Sequence, residues 1–378
     1  MISGMIDLVE EFEKKLEIAS SLRDRLGEDA EAAERDPHSR RLPRPCGLTI
    51  HTGIGCKFGC LYCYIWDMGF RGEPRAYPLS GLQLAYAIAS NPAVALGRNG
   101  TLLAYGSVTE PFMDVSKERS FEYLSAVAKL LGNPIQLSTK AYLSSEDVSR
   151  LKELVGYGSF LVTIISLSMS RLLEPNAPSP DRRFETIGNL RKAGFHTCLF
   201  LRPILPGIGL NEFREILEKA YGFGVCGVVL GSLRVTRGII DRLRAAGYPG
   251  LGEILDRIPR NPSGGEQITI RSSDLKQRVA EIAKDLGIEI YPSACAASIA
   301  AHGLGCWACR FGPCGDREAI PDFEPADLIE LARRFKLKIH SLRIEEPKVF
   351  LKVDGDIRMV KRFKEFVKAL IKRELVIG

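Results

Sequence analysis

Residues 47–64 read GLTIHTGIGCKFGCLYCY, a short apolar strand that runs directly into a glycine-rich loop with three cysteines. This strand is the first of a series, because apolar segments of strand length alternate with helical segments as far as residue 231. Such alternation predicts a parallel sheet whose functional residues lie at the carboxyl ends of the strands. We therefore expect an α/β fold containing a partial (βα)6 TIM-type barrel. The predicted strands are 47–52, 102–106, 135–139, 160–166, 197–203 and 226–231, and the predicted helices are 80–91, 117–131, 145–155, 181–193 and 210–222.

The pattern divides the chain into three predicted regions. Residues 1–46 are predicted to form an amphipathic helix at 5–27, followed by a polar arm that contains prolines. Packing against a core is a sufficient role for this helix. Residues 47–234 are expected to form the barrel. Residues 235–378 are expected to form a smaller α+β extension that carries a cysteine-rich loop. Its predicted elements are strands at 267–270, 289–291, 337–343 and 348–353 and helices at 274–286 and 356–374.

Composition limits the class of protein. The chain has 378 residues, ten cysteines, a formal charge of +6 and ordinary proportions of apolar and charged residues. No run of about 18 apolar residues predicts a membrane span, and the N-terminus lacks the basic and apolar regions of an export signal. We therefore expect a cytoplasmic protein, in which clustered thiols serve as metal ligands rather than disulfides. The small positive charge leaves nucleic acid open as a partner.

The three cysteines of the first loop, Cys56, Cys60 and Cys63, have the spacing C-x3-C-x2-C. A [4Fe–4S] cluster normally takes four cysteines, so three thiolates on one loop leave one iron open to another ligand. The glycines around them let the backbone approach a cluster closely. The alternative is a zinc site that takes a fourth ligand from elsewhere, with His51 as the nearest candidate.

This spacing, with Tyr62 just before the third cysteine, resembles the signature of the radical S-adenosylmethionine (radical SAM) superfamily. The string Gly-Cys-x-x-Gly-Cys-x-Tyr-Cys-Tyr resembles more narrowly its spore photoproduct lyase-like branch. The resemblance implies an enzyme in which the cluster reductively cleaves SAM and the 5′-deoxyadenosyl radical takes hydrogen from a substrate, which the sequence does not identify. It also implies an electron donor such as ferredoxin or flavodoxin.

Later strand ends continue the resemblance, which extends from about residue 47 to 232. The stretches 103–112, 138–140, 174–180 and 201–207 are similar to elements of the same branch in order and spacing. They imply SAM contacts to the ammonium, the carboxylate and the ribose. For Lys140 the alternative is a solvated surface lysine, and for Arg202 it is substrate binding or a buried ion pair with a barrel carboxylate. The candidate SAM-binding residues are Tyr62, Gly106, Ser107, Thr109, Glu110, Lys140, Ser166, Ser168 and Arg202.

The resemblance also has a limit. Spore photoproduct lyases use a cysteine after the cluster loop as a hydrogen donor, whereas no cysteine lies between Tyr64 and Thr197 here. We therefore do not expect the lyase reaction itself, and no residue is assigned a catalytic role. Cys198 and Cys226 lie within apolar strands and are interpreted as core residues.

A second set of cysteines lies in the predicted extension. Cys295, Cys306, Cys309 and Cys314 have the spacing C-x10-C-x2-C-x4-C. Four such thiols suit zinc or a second [4Fe–4S] cluster, and the loose first gap favours the cluster. Two further hypotheses remain open: a nucleic-acid repair or modification enzyme of the lyase-like type, and a metal-binding scaffold or electron carrier that does not cleave SAM.

Overall fold

The computed structural model describes residues 4–44, 47–70 and 72–378, so the last two residues of the predicted arm, 45–46, lie outside the described residues. Its centre is a sheet of seven strands that are all parallel and follow one another in chain order. The strands are β1 Gly47–Ile50, β2 Leu102–Tyr105, β3 Ile135–Thr139, β4 Ser159–Thr163, β5 His196–Ile204, β6 Gly227–Ser232 and β7 Ile290–Tyr291.

The predicted α/β fold is confirmed, with one correction to the strand count. The sequence predicts a six-stranded barrel that ends near residue 234, but β7 pairs with β6 and makes the sheet seven-stranded. The segment 289–291 was predicted as a strand of the extension. The division of the chain near 46 and 234 stays a prediction, and the sheet takes one strand from beyond the second boundary.

Helices connect the strands and cover one face of the sheet. Serine N-caps set the beginnings of several of them, as at Ser80 and Ser144, whose hydroxyls accept from the third backbone N–H of the helix. The helices are α1 Leu8–Leu26, α2 Ala30–Arg35, α3 Gly81–Ser90, α4 Lys117–Leu130, α5 Ser145–Val155, α6 Ser170–Leu173, α7 Pro180–Lys192, α8 Leu210–Gly222, α9 Arg237–Ala245, α10 Leu251–Asp256, α11 Ser273–Asp285, α12 Ala294–Ala301, α13 Pro325–Arg334 and α14 Ile357–Ile371.

Helix α12 lies on the other face of the sheet. Side chains alternate along each strand, so Phe160 and Val162 join the main core with the covering helices, while Leu161 between them points the opposite way. Leu161 packs with Val229 and with Ala297 of α12 in a separate buried cluster. The concave face of the partial barrel is therefore filled by an alanine-rich helix from the cysteine-containing segment.

A second core joins the two ends of the chain. The C-terminal strands β8 Lys338–Glu345, β9 Lys348–Asp354 and β10 Glu374–Ile377 form a mixed sheet. Helices α13 and α14 pack with it, and Leu8 and Phe12 of α1 belong to the same apolar cluster. The predicted packing role of the N-terminal helix is thus confirmed. None of the helices in the described ranges is long and apolar enough to cross a membrane.

Short elements complete the chain. They are the pairs Met5–Ile6 with Asp322–Phe323, Gly53–Ile54 with Arg75–Ala76, Arg234–Val235 with Ile268–Thr269, and Gly305–Cys306 with Cys314–Gly315, and the 3-10 turns Gly27–Asp29, Pro37–Ser39 and Arg317–Ala319.

Candidate active site

A cavity of about 280 Å3 lies at the carboxyl ends of the sheet strands. Parallel strands present their ends at one edge, so residues far apart in sequence meet there. The three cysteines of the first loop line this cavity. So do seven of the nine predicted SAM-binding residues, namely Tyr62, Gly106, Ser107, Thr109, Glu110, Lys140 and Arg202.

The cysteine loop is shaped by glycines and held from one side by the end of β2. Gly55 and Gly59 have φ values of +80° and +67°, a region that side chains with a Cβ rarely adopt. The Thr109 hydroxyl donates to the Gly55 carbonyl over 2.5 Å. Thr109 therefore fixes the loop, and its hydroxyl is engaged by the protein.

Tyr62 is the link between the loop and a buried ion pair behind it. Its hydroxyl donates to the carboxylate of Glu174, which also pairs with Arg183. Arg183 donates further to the Pro178 carbonyl over 2.8 Å, and the Leu61 amide donates to the Leu173 carbonyl over 2.9 Å. Burial, and then the Glu174 charge, raise the pKa of Tyr62. The segment after α6 thus supports the loop, and Tyr62 is its anchor.

The sequence reasoning missed Arg242 of α9, which holds the loop from the other side. Its guanidinium donates to the Cys63 carbonyl over 2.7 Å and to the Leu61 carbonyl over 3.1 Å. It also pairs with Asp67 over 3.1 Å, and the Thr236 hydroxyl donates to the same carboxylate over 2.5 Å. No motif marks Arg242, and it lies beyond the predicted end of the barrel.

Lys140 gives the cavity a positive charge beside the cysteines. Burial raises the pKa of Cys56 to about 11 and that of Cys60 to about 12, and it also raises the pKa of Cys63. The Lys140 ammonium opposes this rise for all three thiols. Burial alone would lower the pKa of Lys140, but the charges of Cys60 and Glu174 raise it. Lys140 therefore stays cationic inside the cavity and is not a surface lysine.

Two of the predicted SAM-binding residues, Gly106 and Glu110, have structural roles at the end of β2. Gly106 has φ +87°, and a Cβ there would lie 2.0 Å from the Ser138 carbonyl oxygen. The buried Glu110 carboxylate accepts from the Thr139 hydroxyl over 2.5 Å and from the Lys140 amide over 2.9 Å. Burial raises the pKa of Glu110 in spite of these bonds. The Glu110 carboxylate thus joins the ends of β2 and β3.

The structure separates Ser166 and Ser168 from the cavity, which neither lines. Their hydroxyls donate to the two carboxylate oxygens of Glu212 over 2.6 Å and 2.7 Å. Burial alone would raise the pKa of Glu212, but these bonds lower it. The two serines therefore tie the end of β4 to α8, and their contact with SAM stays a prediction.

Arg202 and Arg234 bring two guanidinium groups to the same cavity. The Arg202 stem packs on Gly231, where a Cβ would lie 2.4 Å from it. Burial, and then Arg234, lower the pKa of Arg202. Within the described ranges neither arginine has a carboxylate at ion-pair distance, so the predicted alternative of a buried ion pair for Arg202 is not found. Sequence reasoning missed Arg234.

His51, the predicted fourth ligand of the zinc alternative, does not line the cavity. Its Nε2 lies 2.7 Å from the Arg41 guanidinium, and its ring packs against His38 and Tyr77. Burial and Arg41 together lower the pKa of His51 to about 3. These contacts give His51 a structural role.

The second cysteine set lies around another cavity, of about 60 Å3, which all four thiols line. Cys295 is in α12, Cys306 is directly opposite Cys314 in a short antiparallel pair, and Cys309 lies between them in sequence. In the part of the chain that the structure describes, no three Cys, His, Asp or Glu side chains converge as the ligands of a single ion do. Cys198 is fully buried, as predicted, and Cys226 packs beside it.

Comparison with known proteins agrees with the geometry of the first cavity. Residues 50–220 match the model of the Radical SAM superfamily. The radical SAM Nalpha-GlyT isomerase of Pseudomonas phage M6 is 26% identical over 190 residues, which are 48% of this chain and 39% of that protein. The match thus spans well under half of that relative.

Solved structures of spore photoproduct lyase are similar in fold. A variant with bound AdoMet and dinucleoside spore photoproduct has a TM-score of 0.54 at 15% identity, over 68% of this chain and 79% of that one. A complex with dinucleoside spore photoproduct has a TM-score of 0.53 at 15% identity, over 67% and 80%. The predicted fold, a partial TIM-type barrel, is confirmed, and the family that the cysteine motif resembles is the one whose model residues 50–220 match.

Proposed function

Because residues 50–220 form a radical SAM domain, we propose that the protein is an enzyme that uses SAM to generate a substrate radical. Cys56, Cys60 and Cys63 would hold a [4Fe–4S] cluster with one open iron. When bound, such a cluster would supply the one-electron reduction that cleaves the S–C5′ bond of SAM into methionine and a 5′-deoxyadenosyl radical, and this radical would take hydrogen from the substrate. The observation that carries this proposal is that three thiols and the half-buried Lys140 ammonium face one cavity at the strand ends.

The residues around this cavity fit that cofactor pair. The loop glycines allow close approach to a cluster, and Lys140 compensates the negative charge of the thiolates and can meet the SAM carboxylate. Gly106 and Ser107 offer backbone groups beside it. The network of Tyr62 and Glu174 holds the loop in place, so little rearrangement is needed on binding.

The test is the formation of 5′-deoxyadenosine by anaerobically reconstituted protein with SAM and a chemical reductant. We expect product from the wild type and from Cys226→Ala, which changes a cysteine outside both sets. We expect none from Cys63→Ala. Absence of product from the wild type in the presence of SAM and substrate surrogates contradicts the proposal.

The rival function is a scaffold or electron carrier that does not cleave SAM. Equilibrium binding of SAM to the anaerobic protein separates the two, because a carrier needs no SAM site. The proposed enzyme should bind SAM with a change in the electron resonance signal of the reduced cluster. A cytoplasmic location and an electron donor such as ferredoxin or flavodoxin belong to the same proposal.

A nucleic-acid substrate is the second candidate, and the observation that favours it is the pair Arg202 and Arg234 in the cavity wall. Guanidinium groups bind phosphate oxygens well, and the motif resemblance to the lyase-like branch points the same way. Oligonucleotide binding should weaken steeply with salt, and Arg234→Gln should weaken it further. Binding that is absent or insensitive to salt favours a small metabolite, lipid or peptide.

We also propose that Cys295, Cys306, Cys309 and Cys314 bind a metal centre. Zinc and an iron–sulfur cluster both accept four cysteines.

A further inference from the structure

The four thiols of the second set surround one space although they come from three different elements. Cys306 and Cys314 are register partners in the short pair of strands, and Cys309 lies in the turn between them. Cys295 approaches from α12. The remaining wall includes apolar side chains, among them Ile299 and Leu304. Four thiols that are separated in sequence therefore line one partly buried cavity.

The arrangement of the thiols distinguishes a cluster from a single ion. A zinc ion contacts all four sulfurs at about 2.3 Å, so its ligands converge on one point. Here the four thiols line one cavity, yet within the described ranges no three of them converge as the ligands of a single ion do. In a cubane, each cysteine binds a different iron, and the thiols stand apart around an inorganic core.

The cationic side chains around the cavity also favour an iron–sulfur cluster. Lys372, at the end of α14, lines it together with Lys368 and Glu365, which form an ion pair with each other. Lys372 is buried, and its ammonium donates to the Gly100 carbonyl over 3.2 Å. A cluster with four thiolates carries net negative charge, and nearby buried cations reduce the cost of holding it away from water.

We propose that these four cysteines bind a second [4Fe–4S] cluster. This cluster holds the beginning of α12 in place, and with it the part of the first cavity's wall that Ala294 forms. Full ligation by four cysteines leaves no open iron, so this centre does not bind SAM. Its position follows from α12: Ala294 lines the SAM cavity and the next residue, Cys295, lines the second one. One helix therefore separates the two centres.

The two ends of α12 are held differently: the first end follows β7 and is capped by Ser293, and the second end is held against the sheet by His302. His302 accepts from the Ile135 amide at Nε2 over 3.3 Å, and its Nδ1 donates to the Ser298 carbonyl over 2.8 Å. Burial lowers the pKa of His302, so the ring is neutral in this arrangement. At the first end, a ligand bond through Cys295 would hold Ala294 against the cavity.

Only the link to the SAM cavity rests on the proposed function, and metal analysis tests the second cluster by itself. The wild type, a first-site variant with Cys56, Cys60 and Cys63 all changed to Ala, Cys309→Ala and the control Cys226→Ala are assayed for iron, sulfide and zinc. We expect about eight irons in the wild type and the control and about four in the other two, since each cubane holds four. Cys309→Ala should keep the electron resonance signal that responds to SAM but bind SAM several-fold more weakly.

The outcomes are separable. Zinc at one equivalent with about four irons in the wild type overturns the second cluster, and so does a first-site variant that folds but holds no iron. If the first-site variant does not fold, loss of iron from Cys309→Ala alone decides the question. Unchanged SAM affinity in Cys309→Ala overturns the role of the centre in fastening the wall. A second cluster that survives in a protein unable to cleave SAM refutes the proposed function only.

Discussion

Replacing Glu174 by Gln should destabilise the protein strongly, because it leaves the Arg183 charge buried without a partner. The side chains of this pair are 1% and 0% exposed. Removal of one partner from such a pair costs about 3–5 kcal/mol. The unfolding entropy of a 378-residue chain is about 0.8 kcal/mol/K, so we expect Tm to fall by about 4–6 °C.

The assay is thermal unfolding of the anaerobic protein at one scan rate, followed by circular dichroism and by cluster absorbance. Glu266→Gln is the control, because Glu266 pairs with Arg260 in the same chemistry but at the exposed surface, and its Tm should not change. The double variant Glu174→Met with Arg183→Met should regain only part of the loss, since it removes the unpaired charge but leaves the Tyr62 hydroxyl and the Pro178 carbonyl without their partners. A single variant as stable as the wild type, or a double variant less stable than the single, refutes this reasoning.

Three further predictions concern the loop, the strand end and the N-terminal helix. Gly106→Ala should abolish SAM binding, because its Cβ would collide with the Ser138 carbonyl, whereas Gly156→Ala, with positive φ but open space, should only lower Tm. Arg242→Gln should speed the loss of iron to a chelator, because two loop carbonyls lose their donor. Burial lowers the pKa of Lys15 to about 7, so between pH 7 and 10 the unfolded chain holds a proton that the folded chain lacks. The free energy of unfolding should therefore rise with pH by about 1.4 kcal/mol per unit, and Lys15→Met should flatten that rise in urea titrations.

The regular elements could be predicted because their signals are local. Helix α5 was predicted at its observed bounds, since apolar spacing and the Ser144 cap both mark it. Strand β3 likewise coincides with its prediction. Strand β7 could not be placed in the sheet because it has two residues and follows β6 only after three helices and a separate pair of short strands. Its partner is set by tertiary packing, which leaves no periodic pattern in the sequence.

The site was predictable where its ligands are neighbours in sequence and not where contacts cross the chain. Three cysteines on one loop need no tertiary information. The end of a strand, by contrast, does not say which way a hydroxyl points, and the bond of Ser166 to Glu212, 46 residues later, could not be predicted. Arg242 reaches the loop from 179 residues beyond Cys63. Such contacts depend on how α8 and α9 pack, and no motif records them.

The position of α12 narrows the route by which a substrate can reach the cavity. Its small side chains let it lie directly on the concave face of the sheet, where Ala297 packs against Leu161 and Val229. The interior of the partial barrel is thereby filled below Ala294, so we expect a substrate to enter from the carboxyl ends of the strands. Arg202 and Arg234 lie at those ends. We therefore expect a substrate with an anionic backbone to bind these arginines outside the cavity and to insert one small group into it. A neutral substrate would lack this ionic contact.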